Sequence, residues 1–209
     1  MTPALGAQQF YTQTLVDNAS NTITQTVRDT VTAVHADGSY DEIQDDPTGN
    51  SITVNGTLYA VGTETISVSN AGETESYSYV PTGFSAPLNC AYAASGVTGK
   101  YPHSVGQSWN FLYTVTCTND APTAYTEAGS VVDVESVTVP AGTFTTLKTL
   151  VTLTSTNAAG TTTTQTITTW RDTVTSIVVR RVTNDAYSGT RLSTGYPVLV
   201  TLELQKKSA

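Results

Sequence analysis

Apolar residues alternate with Thr and Ser along most of this chain, and turn signals break the alternation at short intervals. A period of two sends successive side chains to opposite faces, so the pattern predicts strands. They are expected near Thr22 to Ala36, Ser39 to Gln44, Ser51 to Val54, Thr57 to Ser69, Glu73 to Val80 and Gln107 to Cys117. Five more are expected near Ser130 to Val139, Phe144 to Thr156, Thr161 to Arg171, Val174 to Thr183 and Tyr196 to Gln205. In the last of these Val198, Val200, Leu202 and Leu204 share one face, and Leu199, Thr201 and Glu203 the other, which fits one buried and one wetter side. The expected fold is therefore all-β: an antiparallel meander of about eleven strands forming a curved sheet or open half-barrel. No helix of useful length is predicted; the best candidate, Ala86 to Ser95, contains Pro87 and little periodicity.

Asp37-Gly38 and Asn55-Gly56 are the strongest turn signals, because a two-residue type I′ turn needs positive φ at both central positions. Pro81 to Pro102 stands apart, with Pro81, Gly83, Pro87, Gly96, Gly99 and Pro102 interrupting a Tyr- and Ala-containing stretch; it reads as a long loop or linker. On either side of it the chain echoes itself. Gly6, Phe10, Tyr11, then Val27, Val31 and Val34, then Asp37 to Tyr40 parallel Gly106, Trp109, Phe111, Tyr113, then Val131, Val134 and Val137, then Pro140 to Phe144. The expected organisation is one domain over 1–209, with similar halves at 6–80 and 105–205 joined by a loop at 81–104.

Composition strengthens the β reading: about one residue in five is Thr, and β-branched side chains suit a pleated surface better than a helix. A formal net charge of -8 with 12% charged residues disfavours nucleic acid as a partner. No run of about 18 apolar residues is present, so no transmembrane segment is predicted. Cys90 and Cys117 are the only cysteines; with no metal-ligand spacing around them, a disulfide is preferred to two reduced core thiols, and it implies an exported protein. Met1 to Leu5 lacks the basic start and apolar core of a signal peptide and reads as a mature domain restarted with an initiator Met.

Candidate chemistry is sparse. His35 and His103 are the only histidines, no nucleophile elbow accompanies them, and neither a metal site nor a cofactor is expected. Asp133 and Glu135, two apart on a predicted strand, could form an acid and base pair acting on a glycan, but solvated charges that discourage sheet aggregation explain them more simply. Asp37, Asp41, Glu42, Asp45 and Asp46 read as a solvated acidic loop, without the spacing of a calcium loop. The aromatics around the central stretch offer a stacking or apolar surface, and Tyr92, Tyr101, His103, Trp109 and Phe111 are the candidate ligand-binding residues.

Val137-Thr138-Val139-Pro140-Ala141-Gly142-Thr143-Phe144, preceded by Val105 to Trp109 and followed by Thr169-Trp170 and Ile177 to Arg180, resembles a pattern in uncharacterised bacterial cell-envelope proteins, many of them lipoproteins. The likeness covers Val105 to Val182, and the chain departs from it with Arg171-Asp172-Thr173 and Ser176 where a Gly-containing turn is usual. Such proteins look similar to half-barrel lipid carriers of the bacterial envelope. The resemblance implies a noncatalytic protein of the periplasm or cell surface, lipid-anchored at full length, whose concave sheet holds a lipid, another hydrophobic ligand or a partner protein; the alternative is the glycan-acting enzyme.

Overall fold

A computed structural model describes residues 3–49, 51–54, 57–60, 62–68, 74–80, 88–95, 103–118, 121–156, 160, 162–188 and 197–208. Those residues hold fourteen strands: β1 (Gln8–Asp17), β2 (Thr22–Val34), β3 (Tyr40–Asp45), β4 (Ser51–Val54), β5 (Thr57–Ala60), β6 (Thr63–Val68), β7 (Thr74–Val80), β8 (Leu88–Ser95), β9 (Ser108–Cys117), β10 (Thr123–Val139), β11 (Gly142–Thr156), β12 (Thr162–Asp172), β13 (Val178–Ser188) and β14 (Pro197–Ser208). The all-β antiparallel meander is as expected. Neighbours in sequence pair around the ladder except where the β4–β5 hairpin stands outside it, between β3 and β6. The sheet is curved, and its curvature carries the ladder round to its start: β1 pairs with both β2 and β14, which joins twelve strands in a ring. Closure satisfies the backbone groups that two free edges would leave unpaired.

Alternation sets the inside. Val27 and Leu204 are fully buried and Tyr11 is 2% exposed, and these three meet Val139, Val179 and Leu202 in one core cluster. Leu15 and Ile23 form a second cluster, against which Ile52 of β4 packs, so the small hairpin folds onto the inward face of β1 and β2. The long β10–β11 hairpin carries a bulge between Val131 and Asp133, and its turn reaches β14 through a 3.2 Å bond from the Ala141 amide to the Leu204 carbonyl. A bulge bends a strand and re-aims the residues beyond it. Val137, Val139 and Phe144 thereby pack on the Tyr11 cluster.

Several expected boundaries are corrected. The loop at 81–104 contains β8, whose Ser and Ala positions carry no periodic apolar signal of their own; it is a strand because β7 and β9 supply backbone partners on both sides. Thr57 to Ser69 divides into β5 and β6. Asp37-Gly38 is part of a longer connection in which the His35 amide bonds the Ser39 carbonyl at 2.8 Å and Asp37 Oδ1 accepts from the Ser39 amide and hydroxyl. Thr173 to Ser176 form a turn before β13: Asp172 Oδ2 accepts from the Thr175 amide and hydroxyl, and Ser176 takes the φ of 62° that glycine would favour. Asn55-Gly56, Asn70 to Gly72 and Asn157 to Ala159 lie outside the described residues.

The echo has a counterpart in hydrogen bonds. The Gly6 amide bonds the Val31 carbonyl and the Val31 amide bonds the Ala7 carbonyl; the Gly106 amide bonds the Val131 carbonyl and the Val131 amide bonds the Gln107 carbonyl. Both glycines have positive φ, 78° and 86°, with open space where a side chain would be. The bulge after Val31 in β2 matches the one after Val131 in β10.

Candidate functional site

Two stretches of the inward face carry polar chemistry. In the first, β9 and β10 lay three register pairs side by side: Trp109 opposite Gly129, Phe111 opposite Glu127 and Tyr113 opposite Tyr125. The same parity leads to Val115 and Val131, 8% and 1% exposed, which places this row on the inside, whereas Leu112 between them is exposed. Tyr113 and Tyr125 stack at 5.1 Å, Phe111 and Tyr113 lie 5.4 Å apart, and His103 stacks on Trp109 at 5.1 Å. The Trp109 indole crosses Gly129 so closely that a Cβ there would stand 2.1 Å from Cε2, and it reaches Glu127, donating from Nε1 to Oε1 at 2.9 Å. Burial pushes the Glu127 carboxyl up, and the indole donor only partly offsets this.

Gly129 thus acts as the floor on which Trp109 lies. Gly129→Ala is expected to cost about 1–3 kcal/mol, because a rigid ring must leave its place. In a Trp170→Phe background, where Trp109 is the only indole, urea titration should show an earlier midpoint and a shifted emission maximum. Unchanged emission would mean that Trp109 does not lie on Gly129.

The second stretch is charged. Asp29 on β2 pairs in register with Gln44 on β3, and Gln44 with Glu64 on β6, while Glu42 pairs with Val31. Arg181 on β13 stands opposite Thr169 and Leu202, both buried, so it faces inward. Gln44 Nε2 donates to Asp29 Oδ1 at 2.9 Å. Asp29, Glu42, Glu64 and Arg181 are each half-buried, so water still reaches groups that the walls surround. Burial, reinforced by Asp29, pushes Glu42 up to about 7. Burial likewise raises Asp29 and Glu64, and with Asp29 beside it raises the Tyr11 hydroxyl; burial and then Arg171 lower Arg181. Polar residues in the middle of β3 gave no sequence signal for this group, because the apolar Ile43 lies on the opposite parity.

Of the residues expected to bind ligand, His103, Trp109 and Phe111 come together; Tyr92 lies on β8 opposite Val115, and Tyr101 is outside the described residues. Tyr113 joins them by alternation along β9, whereas Tyr125, Glu127 and Gly129 were missed, because only the β9–β10 register aligns them. Cys90 and Cys117 form the expected disulfide, directly opposite each other on β8 and β9. Beside it runs an open groove of about 540 Å³ lined by Thr65, Ser67, Ser78, Asn89, Thr116 and Thr118, hydroxyl-rich and uncharged.

Asp133 and Glu135 do not converge on a cleft. Asp133 is exposed and its Oδ1 accepts from the Val134 amide, while Glu135 accepts from the Trp170 indole and stands 3.5 Å from Lys148. Lys148 and Arg180 both lie over the Trp170 ring, so this is a surface stack of alternating charge and aromatic groups. The acidic run is dispersed: Asp45 pairs with Arg28 at 2.5 Å, Asp41 with His35 at 3.2 Å, Asp46 holds Thr48, and Glu42 turns inward.

No protein-family model and no curated protein matches the chain. Among solved structures, a protein of YmcC-like fold from Bacteroides fragilis, inferred to be exported, superposes with a TM-score of 0.56 at 12% identity, covering 100% of this chain and 98% of that one. The hypothetical lipoprotein YmcC of Escherichia coli matches with a TM-score of 0.47 at 12% identity, over 96% of this chain and 85% of its own. An inferred lipoprotein of Parabacteroides distasonis gives 0.47 at 12%, over 98% and 96%. The likeness to bacterial envelope proteins is therefore met at the level of fold, which is YmcC-like.

Proposed function

We propose that this chain is a noncatalytic protein of the bacterial cell envelope that binds a small amphipathic ligand inside its barrel. One observation carries the reading: the inward face is neither a sealed hydrocarbon core nor a uniformly polar channel, but carries an aromatic row on β9 and β10 and, on separate strands of the same ring, half-buried charged groups on β2, β3, β6 and β13. Barrels with more strands than about eight have more interior than their own side chains fill, which leaves room for a ligand. Trp109, Phe111 and His103, with Tyr113 and Tyr125, would form the wall of the site around Glu127, and Arg181, Asp29 and Glu42 would keep a second stretch of the interior polar. The disulfide supports export, since such bonds persist in oxidising compartments. The likeness to an exported protein and to half-barrel lipid carriers is a fold-level analogy that agrees with it. The repeated glycine bonds support two similar halves at 6–80 and 105–205, with β8 belonging to the join.

Native mass spectrometry of gently purified protein tests the reading. A second population heavier than the chain, released by organic solvent, is the expected result. A clean mass for the chain alone, unchanged after incubation with short-chain amphiphiles, would count decisively against a ligand-binding interior.

A further inference from the structure

We infer that the site around Glu127 takes the head of an organic ammonium ion, a cation that carries its own alkyl groups; this rests on the ligand-binding reading above. Glu127 occupies the centre of a small grid: Phe111 stands opposite it on β9, Leu153 opposite it on β11, and Tyr125 and Gly129 flank it along β10. Trp109 swings over Gly129 to donate to one of its oxygens. No lysine or arginine pairs with it among the described residues. A half-buried carboxylate surrounded in this way has lost part of its water and gained one indole donor but no counter-charge, a cost that a bound cation would offset.

The surroundings select the compensating group. Aromatic faces carry negative potential and attract cations while repelling anions, and four rings lie within one or two register positions of the carboxylate. A strongly hydrated metal ion would need several oxygen ligands, and this row supplies one carboxylate. An alkylated ammonium is weakly hydrated, its methyl groups pack on rings, and its charge pairs with Glu127. A tail extending from it would run along Val151 and Leu153, which share the row with Gly129 and Glu127.

Trp109 reports directly on the site once Trp170→Phe removes the second indole. Hexyltrimethylammonium, hexanol and hexanoate are titrated against that protein while its emission is recorded. The cation is expected to bind at least about tenfold more tightly than the neutral alcohol, with the carboxylate probe weakest, by the usual strength of cation–π contacts combined with an ion pair. Glu127→Gln should erase the preference for the cation, and Phe111→Leu should weaken cation binding while leaving Glu127 in place; thermal unfolding by circular dichroism confirms that each variant is folded. Equal affinity for hexanol and the cation, or a preference that survives Glu127→Gln, overturns the ammonium site and leaves the ligand-binding interior standing. If no probe alters Trp109 emission at any accessible concentration, both readings fail.

Discussion

Replacing both Cys90 and Cys117 with serine is expected to lower the unfolding free energy by about 3 to 4 kcal/mol. The bond closes a loop with a sequence separation of 27, and the chain-entropy account of cross-links gives that magnitude for a loop of this length. Position makes the effect more than an entropic one. Cys90 is 3% exposed and Cys117 is its direct partner across β8 and β9, the ladder that, among the described residues, joins β8 to the barrel on that side. The other neighbour of β8 is β7, and the two share just the pairs from Ser76 with Ala91 to Tyr79 with Leu88. Urea unfolding of the oxidised protein and the double-serine variant at one pH measures the difference. Midpoints that coincide would show that the ladder holds β8 without the cross-link; an altered slope would show a change in how much surface unfolding exposes.

The second large effect is a loss of stability as the pH rises. Glu42 binds its proton more tightly in the folded chain, with a folded value of about 7 against an ordinary value of 4.5. A carboxyl raised in this way stabilises the fold while it is protonated. Its contribution is complete below about pH 4.5 and is lost as the pH climbs through about 7. The shift corresponds to about 2 to 3 kcal/mol once the water reaching this half-buried group is allowed for. Asp29 and Glu64 move in the same direction, so they add to the trend. Between pH 5 and pH 8 the denaturation midpoint should therefore fall, and Glu42→Gln should flatten most of that slope while raising stability at pH 8. A wild-type profile that is flat over this range, or one that Glu42→Gln leaves unchanged, would place Glu42 in ordinary contact with solvent.

These two effects differ in how visible their causes are along the chain. Two cysteines with no metal-ligand neighbours and a low-charge, Thr-rich chain already pointed to a cross-link. Glu42 gave no such sign. In Tyr40 to Asp45 the one aliphatic residue, Ile43, has the parity of Thr30 and Thr65, so the hydrophobic pattern of β3 says nothing of an interior on the other side. Charge density alone suggests a solvated loop.

By itself the sequence determined the all-β class, most strand positions, the disulfide and the echo at Gly6 and Gly106, because each of these depends on local chemistry: alternation, β-branching, positive φ and thiol count. It also singled out Trp109, Phe111 and His103, with Tyr92 and Tyr101, as candidate ligand-binding residues. Only the tertiary structure decided that β8 is a strand, that β1 closes the ladder between β2 and β14, and that Glu127 lies between Phe111 and Leu153 with Trp109 across Gly129. Strand pairing over long separations supplies those facts. Register is set by the summed fit of whole strands and by bulges such as the one after Val131, and a slip of one residue would send every side chain in the row to the other face.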